Sequence, residues 1–395
     1  MQPFNKLLNE MKIRLIIILL TLFFYFGCKK ENLYRDKFTL KASDERIQFK
    51  IDSNSTNLSF RIQYFPSNDT NYLAVLARKF NSLSIYNLNS KALYKKFAID
   101  TKGPNAMPTS YGFVMKNIDT TIVVGFYPKM LYFLNENGVI IRKISYEKSS
   151  DGRLINPSWA NLGYRPFISG STLYLFPAIN AQESEGILTP IQHKHSPVDI
   201  AINTNSGEIK IPVLTLPEDL IGKDVTGMTV CRTFNNNNCF VYHFSIIDGL
   251  YVTCNFLDYK KVPIETNYRF KFRENQSKNS SDVNKALKYN LSRDEIIDIL
   301  YDFYRECYYL VVFQRTDDLG KNIDFRTKFL YPKGFIIILD KDFKHMGDVF
   351  FPDNTYSFKM MFITPQGLYI SEDHVNNPSY SEDYMRFRLF TLEEI

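Results

Sequence analysis

The sequence contains 395 residues, with 48 basic and 42 acidic side chains and a formal net charge of +6. The two signs of charge are interspersed along the whole chain rather than collected into a stripe or patch, which argues against a nucleic-acid-binding protein. Hydrophobic residues make up 45% of the chain and aromatic residues 15%, so a chain of this length is not limited in the core that it can bury.

The N-terminal segment has the order of an export signal. Lys12 and Arg14 precede an apolar run over residues 15–26, and Gly27 and Cys28 follow it, as in signal peptides. Such a run would rise only about 18 Å as a helix, whereas the hydrocarbon core of a bilayer is about 30 Å thick. We therefore predict that residues 1–27 are a signal peptide that is removed, rather than a membrane-spanning helix.

Cys28 is a candidate for lipidation. Gly27-Cys28 resembles the end of a bacterial lipoprotein signal, in which a small residue precedes the cysteine that receives diacylglycerol. The two or three acyl chains of such a group anchor a protein stably, where one chain does not. The expected partner is the membrane, and the expected location is the outer membrane, with the periplasmic or surface face undecided. The alternative is an ordinary secreted protein with an incidental cysteine.

Beyond a tether at residues 28–37, short β-prone runs recur between clusters of Asn, Asp, Gly, Pro and Ser, which is typical of hairpins. The runs form six successive groups: 60–64, 72–76, 83–86 and 92–99; 112–115, 121–124, 130–134 and 139–144; 165–168, 172–176, 198–202 and 208–213; 228–234, 239–244, 250–254 and 261–265; 296–301, 307–313, 334–339 and 346–350; and 357–363, 367–370 and 385–390. Asn137-Gly138 predicts a tight hairpin turn in which both residues have positive φ.

The sixth group is one strand short, and an unpaired outer strand would expose a ladder of unsatisfied backbone groups. The run 46–51 precedes the first group and can supply the missing strand. Six groups of four strands at a period of roughly 45 to 55 residues favour a propeller. The predicted fold is therefore all-β: residues 38–395 form a single six-bladed propeller of four-stranded antiparallel blades, closed by the N-terminal strand. A pair of stacked β-sandwiches is the alternative.

Two segments interrupt this pattern. Residues 177–197 form a long insertion in the third group. Residues 283–289 are predicted to form a helix between the fourth and fifth groups, because Ser280, Ser281 and Asp282 can cap its start.

The cysteines beyond Cys28 are Cys231, Cys239, Cys254 and Cys307. Two strands of the fourth group would place Cys239 and Cys254 nearly opposite each other, and an exported compartment permits disulfides. The alternative is that all four are small buried hydrophobic residues, as free cysteine often is. No pair has the C-x-x-C spacing of a metal or redox motif.

Asp302, Arg305 and Glu306 lie between two apolar strands of the fifth group. One interpretation places them at the propeller mouth, where loops bring acids and bases together. The other is a hairpin turn in which Asp302 binds its own backbone, and we favour it because Asp at a turn needs no further explanation.

His193 and His195 have the alternate spacing that would place two metal ligands on one face of a strand. They lie in the insertion rich in Pro and Ser without an evident third ligand, so we predict a solvated loop, no metal site and no cofactor. The sequence also lacks the G-x-S-x-G, H-E-x-x-H and phosphate-binding-loop motifs of common hydrolases.

A series of motifs runs along nearly the whole mature chain: Gln63-Tyr64-Phe65, Tyr72-Leu-Ala-Val-Leu76, Ser84-Ile-Tyr-Asn-Leu88, Gly103-Pro104-Asn105 and Tyr301-Asp302-x-Tyr304-Arg305-x-x-Tyr308-Tyr309. Together with the lipoprotein signal, their order resembles an uncharacterised family of bacterial envelope lipoproteins classed as a domain of unknown function. The resemblance implies a six-bladed propeller in the cell envelope. It implies no catalytic or ligand-binding residues.

The functional expectation is a non-enzymatic envelope protein whose propeller binds a ligand or a protein partner, with a glycan or peptide stacking on an aromatic mouth. The alternative is an exported hydrolase or lyase acting on glycan or peptide at the central funnel. A third interpretation is a structural or assembly factor of the outer membrane.

Overall fold

A computed structural model describes residues 34–395 except for 53–54, 56, 60, 78–81, 157–164, 179–185, 226–227, 273–290 and 317–331. The signal peptide, Cys28 and the helix predicted at 283–289 lie outside the described residues. Asp36–Ile395 form one compact unit, distinct from Met1–Arg35. Within the described residues, no helix is long and apolar enough to cross a membrane.

The first strand is β1 (Phe38–Lys50), and the strands after it form six antiparallel sheets in chain order, which are the blades of a propeller. Blade 1 contains β2 (Ile62–Ser67), β3 (Thr70–Leu76), β4 (Ser82–Asn87) and β5 (Ala92–Ala98), and blade 2 contains β6 (Ser110–Asn117), β7 (Thr120–Gly125), β8 (Met130–Leu134) and β9 (Ile140–Ser145). Blade 3 contains β10 (Phe167–Ser169), β11 (Thr172–Leu175), β12 (Ile200–Asn203) and β13 (Ile209–Lys210), and blade 4 contains β14 (Val230–Phe234), β15 (Phe240–Phe244), β16 (Leu250–Thr253) and β17 (Lys260–Val262). Blade 5 contains β18 (Glu295–Asp302), β19 (Cys307–Phe313), β20 (Gly334–Asp340) and β21 (His345–Phe350), and blade 6 contains β22 (Ser357–Thr364), β23 (Gly367–Ser371) and β24 (Tyr384–Glu394).

The N-terminal strand closes the ring, as predicted. Strand β1 pairs antiparallel with β24 and is the outermost strand of blade 6. The pairing runs from Phe38 opposite Glu394 to Lys50 opposite Tyr384, with a bulge after Ala42. Pairing both ends of the chain in one sheet gives β24 a full partner, so its backbone groups are not left as an open edge. The predicted six blades of four antiparallel strands are confirmed.

The apolar core lies between blades rather than within a single central layer. Each blade packs one face against the preceding blade and the other against the next, and a cluster of buried side chains fills each interface of the ring described here. Phe49 of β1 is fully buried between blades 6 and 1, against Tyr86. Burial of a side chain of this size contributes about 1.5–3 kcal/mol, so the closing strand is held by packing as well as by backbone pairing.

The hairpin at Asn137-Gly138 is present, but its turn type differs from the prediction. Gly138 has a φ of +73°, whereas Asn137 is not among the residues with positive φ. The Gly138 amide donates to the Asn135 carbonyl (3.0 Å), and the Asn135 amide donates to the Val139 carbonyl (3.0 Å). The loop is therefore longer than two residues and needs glycine at one position only.

The insertion between β11 and β12 contains the helix α1 (Pro190–Lys194), where we predicted a solvated loop. The Thr189 side chain accepts a hydrogen bond from the Gln192 backbone amide, and the Gln192 side chain accepts one from the Thr189 backbone amide. This reciprocal pair is a capping box. His193 is buried, with Nε2 2.6 Å from the Leu216 carbonyl oxygen, whereas His195 is exposed after the helix. The two imidazoles therefore do not share a strand face.

Candidate functional site: the axial funnel

The first strand of each blade borders the propeller axis, and together these inner strands enclose a cavity of about 490 Å³, here called the funnel. All six blades contribute to its wall. The apolar lining is formed by Ile62, Phe113, Val114, Phe167, Ile168, Phe234, Phe240, Ile299, Leu300, Met361, Phe362 and Ile363. Phe303 and Tyr304 line the funnel and are each 49% exposed, so the funnel opens to solvent at the hairpin between β18 and β19.

An ion pair, here called the funnel pair, spans two blades inside this cavity. Arg165 immediately precedes blade 3 and donates through Nη2 to Oδ2 of Asp298 on β18 of blade 5 (2.5 Å). The other carboxylate oxygen of Asp298 accepts the Ile299 backbone N–H (3.0 Å). Burial raises the pKa of Asp298 to about 6, against the opposing effects of Arg165 and that backbone hydrogen bond. The wall therefore holds a desolvated carboxylate beside a guanidinium group that is still partly accessible.

A second ion pair, here called the seam pair, joins blades 3 and 4 within the funnel wall. Arg232 of β14 donates through Nη1 to Asp199, and through Nη2 to the carbonyl oxygens of Tyr174 (2.9 Å) and Arg165 (3.2 Å). The Tyr242 hydroxyl donates to the other oxygen of Asp199 (2.6 Å). Burial opposes the charge of Arg232, but the adjacent Asp199 raises the pKa of the guanidinium group and keeps it protonated.

An aromatic cluster lies beside the seam pair. The ring centroids of Phe167 and Phe234 are 4.7 Å apart, and those of Phe234 and Phe240 are 4.9 Å apart. Phe167 meets Phe240 edge to face at 5.6 Å, and the Arg232 guanidinium lies 5.5 Å from the Phe240 ring centre. This part of the wall presents ring faces and edges next to positive charge, which suits planar or apolar groups.

The residues Asp302, Arg305 and Glu306 form the hairpin between β18 and β19 at the funnel opening. Oδ1 of the buried Asp302 accepts the backbone N–H groups of Tyr304 (3.0 Å) and Arg305 (3.1 Å), as in the turn that we favoured. Arg305 also donates to Oδ2 of Asp302 (2.9 Å) and to the Pro365 carbonyl of blade 6 (2.8 Å). Glu306 has a φ of +49° and lies 3.9 Å from the Lys341 ammonium group. The three residues therefore form the rim of the funnel. Phe303 and Tyr304, which follow Asp302 in the hairpin, line the cavity.

Two further side chains of the wall bind within blade 1 or link it to blade 2. Burial raises the pKa of the Tyr64 hydroxyl in blade 1. Tyr64 donates to Asn71 Oδ1 (2.7 Å). Deeper in the wall, Gln63 exchanges hydrogen bonds with the backbone of Met115, which links blade 1 to blade 2.

Within the part of the chain that the structure describes, the cysteines form one bonded pair and two buried thiols. Cys239 and Cys254 flank the hairpin of β15 and β16 and are joined by a disulfide. Cys231 and Cys307 are free and buried, and burial raises the pKa of Cys307 to about 12. Thiols of this kind are unreactive, so neither is a candidate nucleophile.

One cluster of metal-ligand type occurs among the described residues, formed by Asp36, His345 and Asp348. His345 Nε2 lies 3.0 Å from Asp348 Oδ1 and 3.6 Å from Asp36 Oδ1. Asp348 Oδ2 accepts the Thr266 hydroxyl (2.8 Å) and the Asn267 amide (3.0 Å). None of these three residues is part of the funnel lining.

Sequence reasoning missed Arg165, Asp298, Arg232 and Asp199. Their signal is present in the sequence: Asp199, Arg232 and Asp298 are single charges inside otherwise apolar strand segments. A buried charge requires a partner, so an isolated charge in such a segment predicts either an ion pair between blades or a wall position.

Comparisons with known proteins agree with the architecture. The family model described as "Domain of unknown function (DUF4221)" matches residues 37–348. The crystal structure of a member of that family from Bacteroides vulgatus aligns with a TM-score of 0.80 at 22% identity, covering 92% of this chain and 100% of that chain. A "Putative exported protein" from Bacteroides fragilis aligns with a TM-score of 0.52 at 10% identity, covering 90% and 95% respectively.

No curated protein matches the chain. The two aligned structures share the fold, and the family match covers most of the residues in all but the last blade. The resemblance to a family of unknown function, predicted from the order of motifs, is confirmed. The chain belongs to the family described as Domain of unknown function (DUF4221).

Proposed function

We propose that this protein is an exported, lipid-anchored binding protein of the bacterial cell envelope, and that its axial funnel binds a small, largely apolar ligand. The observation that carries the proposal is the funnel itself: a cavity of about 490 Å³ with apolar walls and few convergent polar groups. Small-molecule sites commonly have volumes of about 300–1,000 Å³ and this kind of lining. A concave site of this size favours a small ligand over a protein partner.

Catalysis by an exported hydrolase or lyase is the second candidate, and one observation favours it. The pKa of Asp298 is raised to about 6, within the range in which carboxylic acids serve as general acids or bases near neutral pH. However, both carboxylate oxygens are engaged, one by the Ile299 amide and the other by Arg165. A general base must reach a substrate proton, so this arrangement supports binding better than proton transfer.

Two observations support export. The Cys239–Cys254 disulfide is of the kind that persists in oxidising compartments outside the cytoplasm. One protein of similar fold is described as a "Putative exported protein". With the signal-like segment before Cys28, they favour an extracytoplasmic protein, and lipid on Cys28 would attach it to the outer membrane.

Mass spectrometry of the mature N-terminus tests the anchor. We expect a chain that begins at an acylated Cys28, and an unmodified Cys28 would contradict the anchor. Thiol titration of the denatured, unreduced mature protein should detect two thiols, those of Cys231 and Cys307. Four reactive thiols besides Cys28 would contradict the disulfide and weaken the argument for export.

A blocking substitution tests the funnel as a binding site. Thr233 is a partly buried residue of the wall, so Thr233→Trp should fill part of the cavity. We expect the neutral apolar dye N-phenyl-1-naphthylamine to fluoresce with the unaltered protein and much less with T233W. Leu257→Trp, at a position 68% exposed outside the wall, is the matched control and should leave the signal unchanged. Equal fluorescence from all three proteins would contradict binding in the funnel.

A further inference from the structure

We infer that the ligand of the funnel is a small amphipathic anion, whose charged group binds Arg165 while its apolar part lies against the aromatic wall. This inference rests on the proposed binding function and specifies the class of ligand. The structure assigns the charged group of the ligand to Arg165, just before β10 of blade 3, and its apolar part to the rings of Phe167 and Phe234.

The charge of the wall favours an anion. Among the described residues, the funnel is lined by three arginines, Arg61, Arg165 and Arg232, and by one carboxylate, that of Asp298. Asp199 lies behind Arg232 and brings the carboxylates to two. Arg232 is neutralised by Asp199 and almost fully buried, so Arg165 is the more accessible of these two paired cations, and a low-dielectric wall strengthens its attraction for a negative group.

Arg165 is the arginine whose geometry leaves donors for a ligand. Its Nη2 atom donates to Asp298, and its Nε atom is buried without a hydrogen-bond partner among the described residues, as is the Nε atom of Arg232, so Arg165 differs from Arg232 in exposure and at the terminal nitrogens. The side chain remains 30% exposed, whereas that of Arg232 is 2% exposed with both terminal nitrogens engaged. A guanidinium group carries five N–H donors in a planar fork that matches carboxylate, sulfonate and phosphate oxygens.

The backbone around Arg165 is held in place from behind. Arg232 donates to the Arg165 carbonyl oxygen (3.2 Å), so the seam pair fixes the segment that presents the guanidinium group. Asp298 on β18 of blade 5 holds the guanidinium group itself through a hydrogen bond. A donor held in this way loses little freedom when an anion binds, which strengthens binding.

The aromatic wall supplies the apolar half of the site. Phe167 lies two residues after Arg165, and side chains at this spacing along an extended segment point to the same face. Phe167 is in contact with Phe234, and both rings line the funnel while remaining partly accessible. A ligand with a ring or short alkyl chain next to its negative group would cover both rings and reach Arg165 at once.

A matched pair of dyes tests the inference. The probe 8-anilinonaphthalene-1-sulfonate has the same ring framework as N-phenyl-1-naphthylamine and adds one sulfonate group. We expect the anionic dye to bind the unaltered protein roughly ten to a hundred times more tightly, the range expected for a charge-assisted hydrogen bond. Arg165→Gln should weaken binding of the anionic dye and so remove this preference. Arg153→Gln, at an exposed arginine outside the funnel, should leave both dissociation constants unchanged.

The outcomes separate the two proposals. Equal affinity for both dyes in the unaltered protein, with binding still lost in T233W, would overturn the anionic ligand class and leave binding in the funnel standing. Failure of both dyes to bind would overturn both proposals. Arg165→Lys keeps the charge but not the fork, so it should retain part of the preference, and it replaces R165Q if that variant fails to fold. An unchanged preference in R165Q or its loss in R153Q would overturn the assignment to Arg165.

Discussion

The seam pair and the funnel pair have the same chemistry in different surroundings. In the seam pair, both side chains are almost fully buried, at 2% exposure for Arg232 and 0% for Asp199. In the funnel pair, Asp298 is equally buried, at 2%, but Arg165 is 30% exposed. The seam pair joins the adjacent blades 3 and 4, whereas the funnel pair joins blades 3 and 5, which are separated by blade 4.

The difference lies in how fully each pair is satisfied. Asp199 accepts from Arg232 and the Tyr242 hydroxyl, and Arg232 also donates to two carbonyl groups. A buried network with its members hydrogen-bonded fixes one arrangement of the elements that it joins. The funnel pair is joined by one side-chain hydrogen bond and borders a cavity. We infer that the seam pair positions two blades and that the funnel pair can share its cation with a ligand.

The largest effect is expected at the seam. Asp199→Asn keeps the shape of the side chain but removes its charge, which leaves Arg232 buried without a counter-ion. Breaking a buried pair on one side typically costs about 3–5 kcal/mol, so urea denaturation should show a loss of stability of about this size. Asp353→Asn, in the exposed pair with Lys333, is the control and should change stability by less than about 1 kcal/mol. Similar losses of stability in D199N and D353N would show that the buried seam pair contributes no more to stability than an exposed pair.

At the funnel, the expected effect depends on pH. The pKa of Asp298 in the folded protein, about 6, lies above its ordinary value of 3.8, so the folded state holds this proton more tightly than the unfolded state. The stability that Asp298 contributes is therefore present at low pH and is lost as the pH rises from about 4 to 6. A shift of this size corresponds to roughly 3 kcal/mol.

Asp298→Asn isolates this contribution, because the other titrating groups are common to both proteins. The stability of the unaltered protein minus that of D298N, measured by urea denaturation at several values between pH 4 and pH 7, should fall as the pH rises. A difference that stays constant, or that increases with pH, would show that Arg165 compensates fully for the burial of Asp298. The funnel pair would then resemble the seam pair.

Much of the fold follows from local features of the sequence. Most neighbouring strands within a blade are joined by short hairpins, so alternating apolar runs and turn residues locate them without any knowledge of distant contacts. Ring closure was also predictable, because a group of three strands at the C-terminus leaves an unpaired edge that a β-run near Phe49 can fill. The exact loop at Gly138 was not, since several turn types share an Asn-Gly sequence.

The site could be predicted much less well. Arg165 and Asp298 are 133 residues apart, and their contact depends on which face of each inner strand points to the axis and on the spacing of three blades. Hydrophobic periodicity gives neither quantity, because inner strands such as β18 and β22 are buried on both faces. The rim was accessible for the opposite reason: Asp302 and Arg305 act within one hairpin, so their roles follow from sequence spacing.

The smallest effect is expected at the rim, where a third arginine and aspartate meet. Asp302 is fully buried but its Oδ1 atom is bound by two backbone amides, so the turn does not depend on Arg305. Arg305→Gln should therefore cost only about 1 kcal/mol, the usual net value of a hydrogen bond. Because Arg305 ties the hairpin to the Pro365 carbonyl of blade 6, the same change should speed amide hydrogen exchange at Phe303 and Tyr304. A loss of 3 kcal/mol or more, with unchanged exchange at the rim, would show that this pair contributes as much to stability as the seam pair. The exposure of a pair at the funnel opening would then not predict how strongly it contributes to stability.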